Sequence, residues 1–140
     1  MFKKIFNKIE EKVVNKDILV ASLLIHAAKI DENYTNIEKE IIKKAIIKLS
    51  SISSSEAEEI LKEAEKKEQE SNQIVEFTRE IKKNSMDFRL KVIEILWTIV
   101  YSDGSSDNYE SNLIRRVCGL LYISEKDSGM IKLKVKNLIK

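Results

Sequence analysis

An internal repeat constrains this chain more than any other feature. Asp31 and Glu38 return as Asp103 and Glu110, since 103 − 31 and 110 − 38 both give 72. At the same offset Val20, Leu24, Asn36, Ile42 and Leu49 are identical to Val92, Leu96, Asn108, Ile114 and Leu121. Lys43 and Lys44 answer to Arg115 and Arg116. After a slip of one residue, Ile52 and Ser53 answer to Ile123 and Ser124. Each acidic pair falls where one apolar helical run stops and the next begins. The expectation is a helix-loop-helix unit present twice, over about residues 18–64 and 88–138, with an acidic loop in each copy.

At 140 residues the chain has the size of one domain with a real core. Proline is absent and glycine occurs three times, whereas strand-rich folds need many tight turns built from these residues. Lys, Glu, Ile and Leu dominate instead, so the chain reads as all-α. Seven or eight helices fit the apolar periodicity.

Phe2, Ile5, Phe6, Ile9 and Val13 follow helical spacing with lysines opposite. Residues 1–14 thus read as a basic amphipathic helix, set before a main domain over 15–140. Asn15 or Asp17 is expected to cap the next helix, which is strongly apolar over 18–30. Thr35 to Glu38 has capping-box spacing, ahead of a helix carrying Ile37, Ile41, Ile42, Ala45, Ile46 and Leu49. Ser53 to Glu56 and Ser55 to Glu58 offer two competing boxes for a helix with Ala57, Ile60, Leu61 and Ala64 inward. The apolar signal lapses near Ser71 and Asn72, then resumes with Ile74, Phe77, Thr78 and Ile81. The second copy brings Val92, Leu96, Trp97, Ile99 and Val100, then Leu113, Ile114, Val117, Leu120 and Leu121. Ser124 to Asp127 looks like a last cap.

The formal net charge is +2, so no global field argues for a polyanion. The charges are unevenly spread: Glu56–Glu70 is acidic, and both ends of the chain are basic. The basic ends lack interleaved aromatics, and nucleic acid is not an expected partner. The one cysteine, Cys118, excludes an intrachain disulfide and is expected in the core. His26, the only histidine, is expected to pack within its apolar helix. With one histidine and one cysteine far apart, Cys/His zinc ligation has too few ligands. No phosphate-binding glycine loop and no catalytic constellation is visible. No secretory signal or membrane-spanning run is evident, so a cytoplasmic protein is expected.

The acidic loops carry the most specific chemistry. Oxygen-bearing side chains alternate as Asp31, Asn33, Thr35 and then Glu38, and as Asp103, Ser105, Asp107 and then Glu110. Hard cations such as Ca²⁺ and Mg²⁺ favour such ligands. The loops are not EF-hands, because the last Glu comes too early and the sixth-position glycine is missing. Helix capping competes with this reading. Thr35 and Asp107 are good N-caps, with Glu38 and Glu110 as their third-position partners. Capping does not account for Asp31 and Asp103, which sit near helix C-termini where the dipole disfavours a carboxylate.

The segment Leu96-Trp97-Thr98-Ile99-Val100-Tyr101-Ser102-Asp103-Gly104, continuing through Asp107, Tyr109 and Glu110 to Leu113-Ile114-Arg115-Arg116, resembles the signature of the TerB family of tellurite-resistance-associated helical domains. Such domains also form the N-terminal part of DjlA-type membrane cochaperones. Ala28 to Glu38 resembles the same signature, with Glu32 in place of its usual glycine. The resemblance covers roughly residues 18–138. It implies a duplicated all-helical fold and a divalent-metal site at Asp31, Glu38, Asp103 and Glu110, with Asp107 a further candidate. It implies no known reaction. Members are tied to tellurite resistance, stress response and membrane-associated complexes.

Two functions follow as expectations. One is a non-enzymatic, divalent-cation-binding protein of stress response. The other is a metal-independent interaction or membrane-associated adaptor module; a metal-assisted hydrolase is a remote third. The expected partner is another protein or a second copy of the chain. Residues 1–14 could add peripheral contact with the inner membrane.

Overall fold

The computed structural model describes residues 2–29, 34–70, 74–102 and 108–139, and side chains within 16–29, 34–70, 74–102 and 112–138. Among these residues seven α-helices form and no strand. They are α1 (Phe2–Lys29), α2 (Asn36–Ser50), α3 (Ser54–Glu70), α4 (Ile74–Ile81), α5 (Met86–Tyr101), α6 (Asn108–Leu120) and α7 (Glu125–Ile139). The all-α expectation is met.

Two helices organise the rest. In α1 every side chain from Leu19 to Ile25 is buried, together with Ala27 and Ala28. A helix apolar all round must be enclosed, and α2, α3, α4 and α5 enclose this one. Ser22 is tolerated there because its hydroxyl donates to the Ile18 carbonyl at 2.7 Å and lies 3.3 Å from that of Ala64. The second hub is α5, which packs on α1, α2, α6 and α7. One buried cluster draws on all seven helices, from Leu19 to Val135. It includes Trp97 and Cys118 as expected.

Two local expectations fail. No helix start forms at Asn15 or Asp17, because α1 runs unbroken through both. Asp17 is instead a buried tie, accepting a hydrogen bond from the Ser50 hydroxyl at the end of α2. Ile37 is not inward but 69% exposed. Five residues before Ile42, it lies about 140° around the helix from that buried position.

The caps are the expected ones. Thr35 forms a full capping box with Glu38. Ser53, and not Ser55, starts α3, with the Glu56 amide donating to its hydroxyl at 3.1 Å. The Asp127 amide donates to Ser124 at 3.1 Å. The turns before these two serines also agree. Ser51 (φ 53°) and Tyr122 (φ 56°) are both left-handed, a conformation that usually selects glycine after a helix. Helices α2 and α6 both begin at an asparagine, Asn36 and Asn108. These landmarks recur at the offsets of the sequence repeat.

Candidate cation site at the acidic loops

Each acidic loop joins a buried helix to the N-terminus of a surface helix: α1 to α2, and α5 to α6. Among the proposed ligands, Glu38 is the one whose side chain is described. Asp31, Asp103 and Asp107 lie outside the described residues, as does the side chain of Glu110. The backbone places Glu110 as the third residue of α6, as Glu38 is the third residue of α2.

Glu38 is 8% exposed. Its amide donates to Thr35 Oγ1 at 3.2 Å, and its Oε1 accepts from the Thr35 amide and hydroxyl at 3.4 and 3.2 Å. A carboxylate in the first turn also complements the helix dipole. Its burial there is therefore explained by the cap, and the same position leaves it next to the loop. Among the described residues, no three His, Cys, Asp or Glu converge on a point that could hold an ion.

The structure adds a feature that the spacing did not reveal. Both ends of the first loop are fastened to α3 by two glutamates one helical turn apart. On the entering side, Lys29 Nζ donates to Glu68 Oε2 at 2.8 Å, and His26 Nδ1 lies 3.3 Å from Glu68 Oε1. On the leaving side, the Tyr34 hydroxyl donates to Glu65 Oε1 at 2.9 Å, with Lys39 Nζ at 3.4 Å from the same oxygen. Lys39 also stands 4.9 Å above the Tyr34 ring. Burial, and then the carboxylates of Glu65, Glu38 and Glu68, push the Tyr34 phenol well above its ordinary range. The loop thus starts and ends in a field of carboxylates partly balanced by two lysines.

His26 is more than the packed core residue expected. Its ring lies tilted beside Phe77, with ring centres 6.5 Å apart, and one nitrogen turns to Glu68. The sequence signal was present as two spacings of three residues, His26/Lys29 on α1 and Glu65/Glu68 on α3. Only the packing of α1 on α3 pairs them.

The second loop leaves from a different setting. Trp97 stacks on Tyr101, with ring centres 6.0 Å apart, and its Nε1 donates to Ser128 Oγ of α7 at 3.2 Å. Lys132 Nζ stands 5.0 Å over the Trp97 ring. At the C-terminus of α5, Ser102 closes the helix, its amide and hydroxyl both donating to the Ile99 carbonyl.

Fold and site together define an all-helical domain, with seven helices among the described residues and acidic segments between α1 and α2 and between α5 and α6. The family model for tellurite resistance protein TerB matches residues 17–133, and the chain belongs to the TerB family. The match takes in both loops. No curated protein and no solved structure matches the chain. Among the described residues, no helix is long and apolar enough to cross a membrane.

Proposed function

We propose that this TerB protein is a non-enzymatic, divalent-cation-binding component of a tellurite-resistance or related stress response. The observation that carries this reading is the twofold placement of a glutamate in the first turn of the helix that follows each acidic loop, Glu38 in α2 and Glu110 in α6. An oxygen-rich loop of that kind suits Ca²⁺ or Mg²⁺. Asp31 with Glu38, and Asp103 with Glu110 and Asp107, would supply the ligands. The ion would fix the angle between the flanking helices and so set the surface presented to a partner. In the first loop this constraint would reach α3 through Glu65 and Glu68.

Calorimetric titration of chelator-treated protein with Ca²⁺, Mg²⁺ and Mn²⁺ tests the proposal. Saturable binding, reduced by Asp31→Asn/Glu38→Gln and by Asp103→Asn/Glu110→Gln, is expected. Heat unaltered in both variants would contradict it.

A second reading is a metal-independent interaction module acting in the cytoplasm or against the inner membrane. It is favoured by the α7 surface, where Met130, Leu133 and Leu138 are 62%, 61% and 72% exposed among lysines. Self-association through this face would give a mass in solution of twice the chain, lost in Met130→Glu/Leu133→Glu. Liposome sedimentation of the chain with and without residues 1–14 tests the membrane contact.

A further inference from the structure

Helices α2 and α5 pack against each other yet leave a groove of about 480 Å³ along their outer edges, within the size range of binding sites. Its floor is apolar: Ile41, Ala45 and Leu49 from α2, and Ile95 from α5. All four are only half-buried. Ile41, Leu49 and Ile95 rest one side on the core and turn another to the groove. Ala45 keeps the floor low where a longer side chain would fill it.

The rim is basic. Lys44 and Lys48 stand on α2 and Lys91 on α5, all three exposed. Lys91 also meets Asp87 at 3.1 Å. Glu94, the acidic side chain of the lining, is already balanced by Lys134 at 3.1 Å. The groove is thus an apolar strip whose net positive charge rests on Lys44 and Lys48, with Lys91 shared with Asp87 on the facing wall.

The placement of the cations selects the occupant. Lys44 and Lys48 are about 6 Å apart along α2, and Lys91 lies on the facing wall. A single carboxylate on an acyl chain would use only part of this rim. A helix with an apolar row flanked by carboxylates would use all of it. The length also agrees: Ile41 to Leu49 spans about 12 Å, and anchors at i, i+3, i+4 and i+7 span about 10.5 Å. We propose that the groove between α2 and α5 docks an acidic amphipathic helix of a partner protein. This docking is independent of any ion in the loops.

The full chain is titrated against a fluorescein-labelled, amidated peptide of about 18 residues, with leucines at that anchor spacing and glutamates on both flanks. A peptide with lysines for the glutamates is the control. Fluorescence anisotropy should show binding of the acidic peptide alone, weakened by added salt. Lys44→Glu/Lys48→Glu should weaken it by about tenfold or more. Both lysines are exposed, so an unchanged melting curve will show that this variant keeps the fold. Amide shifts should concentrate at Ile41, Ala45, Leu49 and Ile95. The proposal is overturned if the acidic peptide does not bind, if both peptides bind alike, or if the lysine variant binds as the parent does. Binding of dodecanoate in the groove without binding of the peptide would overturn it in favour of a lipid.

Discussion

The two halves of this protein are fastened in two different ways. In the first half, polar and charged groups tie α3 to both sides of the loop: His26 and Lys29 of α1 meet Glu68, and Tyr34 and Lys39, before and within α2, meet Glu65. In the second, α5 is tied to α7 by an aromatic side chain, with Trp97 buried, bonded to Ser128 and covered by Lys132. Of the four apolar pairs that recur at the offset of 72, Val20 and Val92, Leu24 and Leu96, and Ile42 and Ile114 are buried in both halves, whereas Leu121 is buried and Leu49 only half-buried. Three recurring pairs thus share burial, while the ties beside each loop differ. The first tie is built from ion pairs and a phenol, and the second from a buried indole, a hydroxyl and a lysine over the ring.

The aromatic tie should be the harder to lose. Trp97→Ala removes a core side chain and should cost about 3–5 kcal/mol, read as a lower denaturant midpoint. A loss below about 1 kcal/mol would show that α7 contributes little to the core.

Glu68→Ala comes next. It removes a buried carboxylate with two partners, at about 1.5–3 kcal/mol. Hydrogen exchange should speed up at the C-terminal end of α1 and leave α6 unchanged. Equal acceleration in both halves would break the division between them.

Cap removal is smaller and should be alike in both halves. Ser53→Ala and Ser124→Ala should each cost about 1 kcal/mol, since the two serines make the same bond at the same distance. Clearly unequal losses in urea melts would separate the two turns.

One pH response of the first half should come from Tyr34. The Tyr34 phenol is held above its ordinary value of 10.0. Unfolded chain then releases this proton before folded chain does, so its contribution is complete below about pH 10 and falls as pH rises further. Phenolate absorbance of the folded protein should show Tyr34 titrating above its ordinary value, and Tyr34→Phe should remove that late step. Four tyrosines titrating together would contradict it.

Much of the fold could be read in the sequence because it depends on local periodicity. The apolar face of α4, the inward residues of α3 and the caps at Thr35, Ser53 and Ser124 all follow from spacing within one helix. What could not be read depends on contacts distant in the chain. Asn15 and Asp17 look like helix starts until Ser50 supplies a partner for Asp17. His26 looks like a core residue until α3 brings Glu68 beside it. The acidic loops were legible as a composition, and Glu38 occupies the capping box that its spacing predicts. Cap and ligand use the same residue types at the same position, so spacing does not separate the two roles.

A thermal melt of chelator-treated protein, with and without millimolar Ca²⁺, Mg²⁺ or Mn²⁺ and beside Asp103→Asn/Glu110→Gln, separates them most directly. An ion bound to the native state at a hundred times its dissociation constant adds about 2.7 kcal/mol, or about 5–10 °C for a chain of this size. An ion-specific rise of that order, absent in the variant, is the expected result. Melting temperatures unmoved by any ion, with the variant showing only a capping loss of about 1 kcal/mol, would contradict cation binding and leave the acidic residues as helix caps.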